Sequence, residues 1–127
     1  MRYILDTHTL LWVIFEPNKL SSVAKNILAN TDTRKFVSIA SIWEIAIKNR
    51  IGKLPLSAGF SGILSDLNEL GCGVVDIVPG HIEAYRALPL LHRDPFDGII
   101  VATALMEDMT IITADKNIQM YDVPWVW

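Results

Sequence analysis

Four acidic residues, Asp6, Glu44, Asp97 and Asp115, each stand at the edge of, or inside, an otherwise apolar segment. Asp6 ends Tyr3-Ile4-Leu5, and Glu44 sits within Ile42-Trp43-Glu44-Ile45-Ala46-Ile47. Asp97 opens Ile99-Ile100-Val101-Ala102-Thr103-Ala104, and Asp115 follows Thr110-Ile111-Ile112-Thr113. A carboxylate where core meets cleft needs a partner. If the four converge, a pair about 4 Å apart repels by roughly 4 kcal/mol at an effective dielectric near 20. Such a cluster takes up protons or binds divalent cations, and an all-oxygen donor set suits Mg²⁺ or Mn²⁺. The chemistry this predicts is metal-dependent.

Each acid also has a structural explanation. Asp6 can cap a helix opening at Thr7, and Glu44, three residues after Ser41, fits a capping box. Asp94-Pro95 is a capping pair, which leaves Asp97 free merely to favour the helix dipole. Asp115 can cap the turn Lys116-Asn117-Ile118. Ala40, Ile47 and Ile51 form an apolar stripe around Glu44, a setting that capping alone does not explain. The histidines are less informative. His8 follows the first acid and can line a cleft or lie on a helix surface. Neither His81 nor His92 has metal-ligand spacing to another histidine or to a cysteine. Trp12, Trp43, Trp125 and Trp127 read first as core and interface residues, with stacking on an unpaired base as the alternative. No glycine-rich phosphate loop or nucleophile elbow is present.

The elements that must position these residues alternate between strand and helix. Tyr3 to Asp6 reads as a buried strand, followed by a helix from Thr7 to Phe15 that Pro17 closes. A helix from Ser21 to Ala29, capped by Ser21 or Ser22, has apolar residues at helical spacing. A short strand, Phe36 to Ser38, leads into a helix from Ile39 to Arg50 that ends at Gly52. A glycine-weakened helix from Phe60 to Leu70 and a strand from Val74 to Val78 follow. Helices from Pro79 to Leu88 and Pro95 to Met106, then a strand from Thr110 to Thr113, complete the alternation. The tail Val123 to Trp127 is expected as an edge strand, because Pro124 has no amide donor. Short apolar strands separated by helices predict an α/β three-layer sandwich around a parallel sheet. Ligands in such sheets bind beyond the carboxyl ends of the strands, where Asp6 and Asp115 fall.

At 127 residues, the chain is expected to form a single domain, residues 1–127. Half of it is hydrophobic and a fifth charged, which excludes a disordered chain. The uncharged apolar stretches are far shorter than the ~18 residues of a membrane span, and Asp6 interrupts any signal-peptide core. Cytoplasmic residence, without membrane association, is therefore expected. Cys72 is the sole cysteine, so no internal disulfide forms. The net charge of −3 counts against a nucleic-acid binder. Yet with four of the fourteen acids neutralised, ten face eleven bases. Lys48, Arg50 and Lys53 cluster just after Glu44, as a phosphate-contact patch or a solvated helix end.

The segments Ile4-Leu5-Asp6-Thr7-His8, Ser41-Ile42-Trp43-Glu44-Ile45-Ala46-Ile47-Lys48, His92-Arg93-Asp94-Pro95-Phe96-Asp97 and Thr113-Ala114-Asp115 together carry a family likeness. The chain resembles the PIN-domain ribonucleases, and within them the VapC-type toxins of bacterial toxin–antitoxin pairs. The resemblance covers essentially the whole chain. It implies a parallel sheet of strand order 3-2-1-4-5, with Asp6 and Asp115 on either side of the switch point. It places Asp6, Glu44, Asp97 and Asp115 on the family's acidic quartet, and Thr7, Ser38, Asp94 and Thr113 on supporting polar positions. It further implies hydrolysis of RNA phosphodiesters with one or two Mg²⁺ or Mn²⁺ ions, a transfer RNA or ribosomal loop as target, a homodimer, and a small cognate antitoxin. Lys48, Arg50 and Arg93 are candidates for binding the substrate phosphate. Gly98 departs from the pattern, because many relatives carry arginine there. Two alternatives remain. A catalytically degenerate binding module would use the fold without its acids. An aspartyl phosphatase would need an acid at position 8, which is His8.

Overall fold

The computed structural model describes residues 1–127. Its central strand β1 (Arg2–Leu5) runs parallel to β2 (Arg34–Ser38) on one side and β4 (Thr110–Ile112) on the other. β3 (Gly73–Val75) lies outside β2 and β5 (Trp125–Val126) outside β4, also parallel. The resulting order is 3-2-1-4-5, as the resemblance implied. Leu5 pairs with Val37 on one side and Ile112 on the other, so the carboxyl ends of the three inner strands are level.

Seven helices cover the sheet: α1 (Thr7–Phe15), α2 (Ser22–Ala29), α3 (Ile39–Arg50), α4 (Phe60–Glu69), α5 (Pro79–Arg86), α6 (Pro95–Glu107) and α7 (Lys116–Gln119). Side chains alternate between faces along a strand, and β1 shows it. Tyr3 and Leu5 join one core with Leu10, Ile45, Ile63 and Leu67, contributed by α1, α3 and α4. Ile4 joins the opposite core with Ile100, Val101, Ala104 and Ile118, contributed by α6 and α7. Both faces are thus covered, as a parallel sheet requires.

Boundaries differ from the sequence expectation in places with local causes. The third strand occupies Gly73–Val75 rather than Val74–Val78. The chain leaves the sheet at exposed Asp76, and the Val78 N–H is taken by the ring of His81. That bond fixes the buried imidazole as the tautomer with its proton on Nε2, which faces Glu107 Oε1 at 3.2 Å. α5 ends at Arg86, two residues short of the expected Leu88. α6 runs one residue past Met106 and stops where Asp108 turns left-handed at φ 55°. Ile51, expected on the stripe around Glu44, caps α3 from outside the helix and is exposed. Of the apolar residues on α1 and α2, Leu11, Trp12, Ile27 and Leu28 pack against the first core. Phe15 and Val23 remain 49% and 48% exposed.

α5 and α6 approach closely at Gly98. A Cβ there would lie 2.4 Å from Tyr85 Cε1, so glycine is required while the ring stays in place. Gly98→Ala should therefore cost about 1–3 kcal/mol through overpacking. In a Tyr85→Ala background it should become neutral or stabilising, because alanine exceeds glycine in helix propensity by roughly 1 kcal/mol. Urea denaturation of the four proteins in this cycle measures the coupling. An equal cost in both backgrounds would show that the ring is not the obstacle.

Candidate functional site

Parallel topology sends the chain from each strand's carboxyl end into a helix, so helix N-termini collect at one rim. Asp6 follows β1 and caps α1, its Oδ1 accepting from Thr9 N–H at 2.8 Å. Its Oδ2 accepts from the Thr113 hydroxyl, just past β4. Thr113 Oγ1 accepts in turn from Asp115 N–H at 3.0 Å. Asp115 caps α7 through Asn117 N–H at 2.8 Å. Asp94 caps α6, accepting from Phe96 N–H at 2.9 Å and Asp97 N–H at 3.4 Å. Ser38 caps α3 through Ala40 N–H at 3.0 Å. Thr7 donates to Ser41 Oγ at 2.9 Å, which ties α1 to the first turn of α3.

Three of the four acids are nearly sealed from solvent. Asp6 is 2% exposed, Glu44 7% and Asp97 9%, while Asp115 is half-buried. Burial pushes the Asp6 carboxyl up, opposed by its bonds from Thr113 and Thr9 and by the charge of His8. The Asp97 carboxyl is pushed up to about 7, first by burial and then by the charges of Asp94, Asp115, Asp6 and Glu44. The other acids of the set therefore lie near enough for their charges to act on Asp97, although the ligand atoms that come within 4.8 Å of one another are those of His92, Asp94 and Asp97. Glu44 Oε2 accepts from Lys48 Nζ at 2.9 Å, one helical turn on. Its Oε1 is buried with no hydrogen-bond partner. A buried lone carboxylate oxygen calls for an explanation such as an ion. The donors around it are carboxylates, the set that suits a hard divalent cation.

The basic candidates divide. Lys48 is held by Glu44. Arg93 is exposed on the loop before α6, beside Tyr85 and His92. Arg50 is exposed at the end of α3. It stands about 9 Å of helix rise beyond Glu44, at 1.5 Å per residue, so the fold does not bring it to the acids. Gly98 is covered by the Tyr85 ring.

Sequence spacing did not reveal His92. Its Nε2 lies 3.2 Å from Asp97 Oδ2, and ligand atoms of His92, Asp94 and Asp97 lie within 4.8 Å of one another. The residue precedes Asp97 by five positions across the Asp94-Pro95 turn, a separation that matches no helical or metal-binding repeat. His8 and Trp12 line a cleft of about 250 Å³ with Asp6, Ala114 and Asp115.

Residues 3–124 match the PIN domain family, and the chain belongs to it. Ribonuclease VapC22 of Mycobacterium tuberculosis is 29% identical over 124 residues, spanning 95% of this chain and 92% of that one. Among solved structures, VapBC2 from Rickettsia felis bound to a DNA fragment from their promoter superposes with a TM-score of 0.76 at 16% identity. The match covers 99% of this chain and 98% of that one. VapBC-1 from nontypeable Haemophilus influenzae gives 0.70 at 18% identity, over 99% and 97% of the two chains. Both attest the fold.

The raised Asp97 carboxyl has a consequence for metal-free stability. Its pKa is about 7 in the folded state and about 3.9 in an unfolded chain. The native state therefore binds more protons between these values, and stability falls as pH rises through that window. Chelator-treated protein should lose on the order of 3 kcal/mol between about pH 4 and pH 8 from this group. Asp97→Asn should flatten the dependence and exceed the native protein in stability above about pH 7. Urea midpoints across pH measure both effects. A midpoint that rises with pH would contradict the assignment.

Proposed function

We propose that the chain is a divalent-metal-dependent endoribonuclease and the toxin of a toxin–antitoxin pair. The observation that carries this reading is the convergence on one rim of Asp6, Glu44, Asp97 and Asp115, with Glu44 Oε1 left unpartnered. Similarity to Ribonuclease VapC22 supports RNA as the substrate class. The VapBC structures support a cognate antitoxin. A bound Mg²⁺ or Mn²⁺, as one or two ions, would supply an activated water and neutralise charge developing on the phosphoryl group.

The four acids would hold the metal. Asp6 offers carboxylate oxygens whose orientation is set by Thr9 and Thr113. Glu44 offers the free Oε1 from α3, and Asp97 and Asp115 contribute from the starts of α6 and α7. Asp94 and Thr113 orient these groups, while Thr7 and Ser38 fix the start of α3. Arg93 and Lys48 would bind substrate phosphates, with Arg50 reaching only a distal one. A transfer RNA or ribosomal loop is the target proposed, because structured RNA presents unstacked bases there. We read residues 1–127 as one catalytic domain that acts in the cytoplasm as a homodimer. No helix is long and apolar enough to cross a membrane. A degenerate binding module is disfavoured because it would have no use for four neighbouring acids, three of them buried.

Asp6→Asn, Glu44→Gln and Asp97→Asn should each abolish RNA cleavage with the fold intact by circular dichroism. Thr113→Val should cost the roughly 10- to 100-fold typical of a residue that orients a ligand. Activity should vanish with a chelator and return with Mg²⁺ or Mn²⁺, without a requirement for Zn²⁺. Sequencing of RNA ends after brief induction, native against Asp6→Asn, identifies the target. Full activity after exhaustive chelation would overturn the mechanism. Unimpaired growth on expression, with no small partner co-purifying from the adjacent reading frame, would overturn the toxin reading.

A further inference from the structure

The acid cleft has an aromatic wall. His8 and Trp12, one turn apart on α1, line it beside Asp6, Ala114 and Asp115. Their ring centroids lie 6.0 Å apart at an interplanar angle of 42°. Trp12 stands 5.6 Å from Trp127 at 56°, so the three rings adjoin, with His8 and Trp12 the two that line the cleft. Lys19 Nζ lies 5.9 Å over the Trp12 ring while pairing with Glu16 at 3.0 Å. Trp12 and Trp127 pack partly against the first core, yet both are only half-buried and His8 is exposed. The core therefore uses one side of Trp12 and leaves aromatic surface facing the cleft.

We infer that this wall, with Trp12 as its main face, stacks an unpaired RNA base next to the phosphate held over the acids. The inference rests on the ribonuclease reading and names how that site takes its substrate. Bare carboxylates repel a phosphodiester, so affinity must come from elsewhere. Every base has a π-face that can stack on an aromatic side chain whatever its identity. A base inside a duplex is already stacked and cannot do so. Lys19 adds a positive charge beside the outer rings, where the strand backbone would continue. The other exposed aromatic pair, Trp43 edge-on to Phe96 at 5.2 Å, lies instead in an apolar groove with Ala40, Ile77, Tyr85 and Ile99. No charged side chain lines that groove, so it lacks both the acids and the cation.

The test uses the full chain silenced by Asp6→Asn and a fluorescein-labelled single-stranded oligoribonucleotide, followed by anisotropy. Affinity should fall roughly 5- to 100-fold in Trp12→Leu, the range for losing one stacked base, and much less in Trp12→Phe. Phe15→Ala, at an exposed site on the same helix, should bind normally. The annealed duplex should bind more weakly than the single strand. An abasic site scanned along the oligonucleotide avoids any question of folding. One position should weaken binding to the Trp12-containing protein and have no added effect in Trp12→Leu. Equal binding of single strand and duplex, no binding at all, or no sensitive abasic position would overturn the inference. Stacking without cleavage by the unsilenced chain would sustain the wall and refute the nuclease. Metal-dependent cleavage with an unchanged KM in Trp12→Leu would do the reverse.

Discussion

The Asp6 carboxylate is the junction on which the rest of the site depends. It lies just past the central strand, nearly sealed from water, and its two oxygens are spoken for by different elements. Thr9 N–H fixes one to α1 and the Thr113 hydroxyl fixes the other to the end of β4. Thr113 passes the tie onward, accepting from Asp115 N–H and, through its carbonyl, from the Gln119 amide. β1, α1, β4 and α7 thus meet at one side chain. The Thr9 hydroxyl, donating to the Ile112 carbonyl at 3.0 Å, closes the same corner. Burial alone would favour the neutral acid. The donors act against burial, and they hold an acceptor in a fixed position at the price of electrostatic strain. The strands beneath are anchored by Ile4, Leu5, Ile111 and Ile112, fully buried on the two faces of the sheet.

Capping and chemistry are not competing explanations for these residues. Asp6, Ser38, Asp94 and Asp115 each occupy the N-cap of a helix. In a parallel sheet those N-termini must share the rim on which the strands end. Each brings partial positive charge and unpaired N–H groups, which favour nearby anions. The topology therefore lowers the electrostatic cost of the cluster it creates. Asp115 illustrates the point: one oxygen is bound by its own helix while its charge acts on Asp97 across the rim. Glu44 is the exception. It sits in the second turn of α3 rather than at its cap, which is why Lys48 and an unpartnered oxygen accompany it.

What the sequence made legible follows from the same logic. α1 and α3 begin and end where capping residues and helical spacing place them, because their boundaries are local. The five strands and their approximate positions came from apolar runs, whereas their order came from the family resemblance. Contacts without local period were not legible. The closure of Tyr85 over Gly98 joins two helices whose sequences carry no mutual signal. His92 reaches Asp97 around a proline turn, and Trp12 meets Trp127 across nearly the whole chain. The third strand is shorter than its apolar run because His81, six residues beyond Val75, withdraws the Val78 amide from sheet pairing. Lys48 is a different case: its i,i+4 relation to Glu44 is visible in the sequence, but spacing alone does not separate a paired lysine from one free to meet a phosphate.

The charges around Asp97 explain how the chain tolerates this cluster without a ligand. The charges of Asp6, Glu44, Asp94 and Asp115 all act on Asp97 there. The compensation visible in the chain is small: Lys48 on Glu44, His92 beside Asp97, and a tendency of Asp97 to hold its proton near neutrality. Lys48 and the proton on Asp97 are reversible substitutes for added positive charge. A cation entering the rim must compete with the proton on Asp97, since oxygen ligands coordinate in their deprotonated form. It also makes the Lys48 pairing less necessary, because Glu44 gains a second source of positive charge. The same reasoning applies to a basic side chain offered by a protein partner. Any such partner gains most when it satisfies Glu44 Oε1, the one buried carboxylate oxygen that the fold leaves without a donor. A metal and a basic partner residue offered at the rim would therefore compete for the same carboxylates, because charge supplied by the first weakens the attraction left to offset the desolvation of the second.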